Sequence, residues 1–267
     1  MHRSAAKTFF AALCAISLTG ALSACSILSP EISPVATDPA APKDTSVADS
    51  SSSFRPVMAT GEPGAALRVL ESYYVRDADI TQALDDAKAL INTTVAVGYA
   101  DVLEEFPNIA DQFLALDCSI PLEDRSPQVD NPAEPLVACD VDGMRKYLLA
   151  PTEIGSSSLT SVQTVNRDGY WAITLEFTDD GAQALKAVTS RLTNFPEARS
   201  PLADSPDADL AWLGLSSESA FKQLAIVGNA LVLSAPQVMS PIPDGVIDIS
   251  GSFTEESAEE LAELLSD

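Results

Sequence analysis

The sequence predicts an α+β fold: a mainly antiparallel sheet with helices packed on one face, preceded by a mixed helical N-terminal lobe. Three observations predict it. The string "YWAITLEF" alternates strictly, with Trp171, Ile173, Leu175 and Phe177 on one face and Tyr170, Ala172, Thr174 and Glu176 on the other. The next string, "TDDGAQALKAVTSRL", opens with cap-type residues and sets Ala182, Leu185, Val188 and Leu192 in a helical stripe. The C-terminal part then supplies a hairpin, a strand and a second helix.

Taken in order, residues 1–24 read as a signal peptide. His2, Arg3 and Lys7 form a polar, basic head, and Phe9 to Ala21 is mostly apolar. The stretch is too short and wrongly flanked for a good spanning helix. The following "LSAC", Leu22 to Cys25, resembles a bacterial lipobox. On that reading Cys25 becomes the first mature residue and carries acyl chains, each buried methylene adding roughly 0.8 kcal/mol of membrane affinity. The other reading is a plain signal peptide cut nearby, with Cys25 a spare thiol. Residues 25–53 are rich in Ser, Pro and Ala, with little apolar periodicity, and read as a disordered tether.

Residues 54–140 form the predicted N-terminal lobe. "FRPVMATG" suits a first strand and turn, and "ESYYVRD" is a weaker strand candidate. From Ile80 a helical spacing runs through Ala83, Leu84, Ala87, Leu90 and Ile91. Thr93 to Gly98 blurs it. "DVLEEFPNIADQFLALDCS" resumes it, with a break expected at Pro107. Cys118 and Cys139 bracket a Pro- and Asp-rich loop. Residues 141–267 hold the main α+β domain. There "QLAIVGNALVLSA" reads as a hairpin turning at Gly228-Asn229. In "GVIDISGSF", Ile247, Ile249 and Phe253 point one way. Thr254 is the expected cap of a last helix, striped by Ala258, Leu261, Ala262 and Leu265.

Composition narrows the chemistry. The 267 residues are 46% hydrophobic, which suits a globular core. The formal charge is -24, and loss of Arg3 and Lys7 with the signal makes it -26. Such a surface repels phosphate, so nucleic acid is excluded as a partner. His2 is the only histidine and leaves with the signal. Ser-His-Asp and Cys-His catalysis and His-containing metal sites are excluded with it. Cys14 leaves too. Two cysteines 21 apart in an oxidising compartment are expected to pair, the alternative being two free buried thiols. No metal, cofactor or catalytic residue is read.

Other acidic groups have plain explanations. Glu255, Glu256, Glu259, Glu260 and Glu263 favour the dipole and wet face of a helix. Asp207 and Asp209 lack calcium-loop spacing. Trp212 and Leu213, in the loop containing Pro196, Pro201 and Pro206, are either an exposed partner contact or core residues.

"RKYLLAPTEI", "YWAITLEFTDDGAQALKAVT", "LAIVGNALVLSAPQV" and "IPDGVIDISGSFTEESAEELAELL" together resemble the extracytoplasmic head of SecD, a subunit of bacterial protein export. "FRPVMATG" and the "LDCS…LVACDVDG" frame resemble actinobacterial SecD proteins. The likeness runs from Phe54 to Asp267 and is dense from Tyr147 onward. It departs from the family where SecD resumes with membrane helices, which carry the groups that couple proton flow to export. It departs again where SecD has an N-terminal spanning helix and this chain has "LSAC". The resemblance implies a head-like fold and a non-catalytic role on the extracytoplasmic face of the cell membrane. Its implied partners are the lipid bilayer, through acylated Cys25, and Sec translocon subunits or exported polypeptides. A second expectation is a cell-envelope structural lipoprotein that reuses this fold. A third, a carboxylate-based hydrolase of cell-wall sugars, needs two carboxylates facing across a cleft.

Overall fold

The computed structural model describes residues 52–68, 77–195 and 222–266. The expected signal peptide, Cys25, most of the tether, nearly all of "ESYYVRD", and the loop holding Trp212 and Leu213 lie outside them. Ser53, placed at the end of the tether, is instead the first residue of a strand, β1 (Ser53–Gly61). Helices α1 (Asp77–Glu105) and α2 (Ile109–Ala115) follow, separated at Pro107. Next come β2 (Leu136–Cys139), β3 (Lys146–Leu149) and the short β4 (Ile154–Gly155). Strands β5 (Leu159–Arg167) and β6 (Tyr170–Phe177) lead into α3 (Asp179–Thr193). Strands β7 (Leu224–Gly228), β8 (Leu231–Ser234) and β9 (Val246–Phe253) precede α4 (Glu255–Ser266).

The fold is α+β, with two antiparallel sheets in place of the single sheet expected. One has the order β2-β3-β1-β7-β8, with β4 beside the start of β1; the other is β5-β6-β9. The expected division at residue 140 runs through the first sheet, because β1 and β2 lie before it and β3, β7 and β8 after it. Both stretches therefore belong to one compact unit.

β1 is central and changes neighbours along its length. Ser53 to Pro56 pairs with β7, and Val57 to Gly61 pairs with β3 across a bulge. Pro56 sits at the changeover, where its missing N–H costs least. The sheet curls so that the chain just past β2 reaches β8, where Val141 N donates to Val232 O at 3.2 Å, without closing a barrel. Inside the curl Val57, Leu136, Ala138, Tyr147, Leu149, Ala225, Val227 and Val232 form one core cluster. On the outer face Met58, Leu148 and Ala150 pack on α1 and α2 through Ile91, Val95 and Phe113. Phe54, Leu224 and Ile226 join a third cluster with the second sheet, α3 and α4.

Local chemistry sets the boundaries. Thr178 caps α3, its hydroxyl accepting from Gly181 N at 3.0 Å, and Leu185, Val188 and Leu192 are buried as the stripe requires. Thr254 caps α4 through Ser257 N at 3.2 Å. The β5–β6 turn uses Asp168 and Gly169, at φ 53° and 90°. A two-residue turn with both centres at positive φ matches strand twist, which is why Asp-Gly serves there. The β7–β8 turn is one residue later than expected. Asn229 and Ala230, at φ 52° and 57°, are its centres, and Gly228 pairs with Leu231 as strand. α1 runs through Thr93 to Gly98 and deviates from helical geometry only at Tyr99.

Candidate functional site

β5 is nine residues long and pairs only with β6 among the described residues. Its outer row of backbone N–H and C=O groups has no neighbouring strand, which makes it a template for an added one. One face of this sheet carries Val162, Ile173, Leu175, Ile247 and Ile249 into the core beneath α4. The opposite face is polar. Arg167 pairs with Asp248 at 2.9 Å, and the Thr174 hydroxyl donates to Asp248 at 2.6 Å. Thr160, Gln163 and Asn166 are exposed along β5. Backbone at this edge therefore offers sequence-tolerant hydrogen bonding, with a rigid sheet behind it.

Two fully buried cations fix the scaffold around β1. Arg55 projects into the curl beside Val57, with no exposed surface. It donates from Nη1 to Glu134 O at 2.8 Å and Ala150 O at 3.0 Å, and from Nη2 to Asn131 O at 3.0 Å. It also pairs with the Asp130 carboxylate. Burial pulls its pKa below the usual value, and Asp130 works against that fall. Lys146 points the other way, 1% exposed. It donates to Gly64 O at 3.0 Å and to Leu116 O, just past α2, at 3.3 Å, and lies 5.1 Å from the centre of the Phe113 ring. Burial pushes its pKa down to about 8, partly opposed by Asp117. The amine closes the carbonyl end of a helix, where a cation is favoured.

Asp117 pairs with Arg68 and accepts from Ser119 N at 3.0 Å. Burial acts to raise its pKa, but Ser119 and Arg68 hold it below the ordinary carboxylate value. Near α3, Arg191 pairs with Glu153, and Tyr99 stacks on Phe195 with centroids 6.2 Å apart. Burial pushes the Tyr99 pKa up to about 12. Among the described residues, no three His, Cys, Asp or Glu side chains are grouped to hold a metal ion.

The sulfurs of Cys118 and Cys139 lie 2.03 Å apart, with Cα atoms 5.6 Å apart and both residues buried. The segment between them carries Asp130, Asn131 and Glu134, three partners of Arg55. Sequence reasoning missed Arg55, Lys146 and β5. A charged residue at an inward position of "FRPVMATG" was a signal for the first, and Asp168-Gly169 was a signal for the β5–β6 hairpin.

These elements define a two-sheet α+β domain in which the outer edge of β5 has no neighbouring strand among the described residues. The model of the SecDF P1 head subdomain matches residues 134–267, half of the chain. The chain belongs to the SecDF P1 head family. It is 26% identical over 169 residues to protein translocase subunit SecD of Streptomyces coelicolor, covering 59% of this chain and 25% of that protein. It thus spans about a quarter of the length of this curated relative. A SecDF crystal structure in a super-membrane-facing form aligns at 18% identity and TM-score 0.37, covering 81% of this chain and 18% of that one. A second SecDF, described as a membrane component that enhances protein export, aligns at 16% identity and TM-score 0.35, covering 81% and 62%. No helix among the described residues is long and apolar enough to cross a membrane.

Proposed function

We propose that the chain is a lipid-anchored, extracytoplasmic head domain that binds polypeptide segments during or after protein export, without catalysis. Acylated Cys25 holds it to the cell membrane, the residues after it up to 51 act as a tether, and a Cys118–Cys139 disulfide steadies the fold. Its partners are exported chains or subunits of the Sec translocon. The observation that carries this reading is the open edge of β5 on a member of an export-related family. Backbone pairing at a strand edge suits a client of no fixed sequence. Trp212 and Leu213 remain candidate contacts.

The test is site-specific photo-crosslinking in cell membranes, with the reactive group at Gln163 and Asn166. Adducts with secretory precursors or translocon subunits are expected, and they should fade when export is arrested. Recovery of envelope components alone, unchanged by that arrest, would replace the reading with a structural role. The anchor is tested separately: Cys25→Ser should release the protein from membranes and abolish palmitate labelling.

A further inference from the structure

α1 is encoded as one continuous helix and built as two. Its inward stripe, Ala87, Ile91, Val95, Tyr99 and Val102, keeps helical spacing without a gap, and all five are buried. No proline lies between Asp77 and Glu105. Yet Tyr99 leaves the helix, at φ -140° and ψ 41°. A sharp bend in a helix has a cause: a proline, a glycine or serine pair, an extra residue in one turn, or an inserted group. Here a side chain from another helix stands in the bend.

That side chain is Phe195, just past the end of α3. A methyl group built on Gly98 would stand 2.1 and 2.5 Å from Cζ and Cε2 of its ring, so the ring fills the space that any other residue's Cβ would take. The same ring stacks on Tyr99, with the planes 17° apart. Phe195 belongs to the core cluster of α1, α2 and the first sheet, in which every other buried member falls between Met58 and Ala150. The α3 stripe of Leu185, Val188 and Leu192 packs instead with the second sheet. One ring therefore ties α3 to α1.

The bent form carries opposing terms. Burying the Phe195 ring favours it. The Tyr99 hydroxyl disfavours it, being buried near Arg191 yet outside hydrogen-bond geometry with any described residue. The stripe itself is compatible with a straight helix. We infer that Phe195 is a removable peg and that α1 is a two-state hinge: bent with the ring seated on Gly98, straight with the ring withdrawn. Straightening carries the Val102 end of α1, and α2 after it, relative to β1 and β3. A movement of α3 is thereby coupled to the helices on the first sheet.

The test uses the full chain in detergent with isotope-labelled tyrosine, Tyr99 being assigned by comparison with Y99F. In the native chain its backbone carbon shifts should lie outside the helical range and show micro- to millisecond exchange. G98A displaces the ring and F195A removes it. Each should move the Tyr99 shifts into the helical range and end the exchange. Spin labels at Gln82 and Glu105 should then stand about 35 Å apart, the span of a straight helix of that length, and closer in the native chain. Unchanged Tyr147 and Tyr170 shifts check the fold, and if F195A loses them G98A decides alone. Non-helical Tyr99 shifts in both folded variants would show that α1 bends without the peg and would overturn the inference. Straightening in only one folded variant, or a native chain without exchange, would overturn it too.

Discussion

Lys146 gives the fold a measurable alkaline signature. Its amine is 1% exposed, and its pKa stands at about 8 against 10.5 in the unfolded chain. At 1.36 kcal/mol per pH unit, the charged amine is about 3 kcal/mol harder to hold in the fold than in water. Below pH 8 both states carry the proton and the whole penalty applies. Above 10.5 neither does, and the penalty is gone. Across that window the unfolded chain binds more protons, so stability from this residue rises with pH. The perturbation is Lys146→Met, which removes the titration and leaves the carbonyls of Gly64 and Leu116 without their donor. The assay is urea unfolding followed by circular dichroism at half-unit steps from pH 7 to 10.5. Wild type minus K146M should climb by about 1.4 kcal/mol per pH unit above 8. The raised pKa values of Tyr99 and Tyr147 act oppositely above pH 10 and cancel in that difference. A flat or falling difference would refute the argument that burial, and not the carbonyl contacts, governs this amine.

Arg55→Met should destabilise the protein by about 3–5 kcal/mol in the same assay at pH 7, because Asp130 and three carbonyls lose their common donor. Asp130→Asn should cost much less, since the carbonyl contacts survive. Replacing Cys118 and Cys139 together by serine should cost about 3 kcal/mol by loop closure, read as a lower urea midpoint that reductant no longer shifts. Thr178→Ala should cost about 1 kcal/mol through loss of the α3 cap, with hydrogen exchange rising first at Gly181.

Legibility followed the range of the signal. β6, α3 and α4 were readable because alternation, helical stripes and caps are properties of a dozen neighbouring residues. The turn at Asn229-Ala230 was misplaced by one residue because Gly228 is the usual bearer of positive φ, yet here it stays in the strand. α1 was blurred at Thr93 to Gly98, where β-branched residues lower helix propensity and packing of Val95 on Ile91 overrides it. The sheet that spans residue 140 was not legible because pairing of β1 with β3 and β7 is long-range, and no local pattern encodes it. Arg55 was hidden for the same reason, since its partners lie some 75 to 95 positions away. The edge strand β5 was unseen because "LTSVQTVNR" has a weak apolar alternation, as suits a strand at a margin.

The place of β1 at the middle of its sheet has a consequence for how the molecule is made. The strand emerges from the ribosome before any partner that can flank it, and its pairing of Ser53 with Val227 waits for most of the polypeptide. Distant pairings of this kind slow folding. Completion of this sheet thus waits until Val227 and its neighbours have been made.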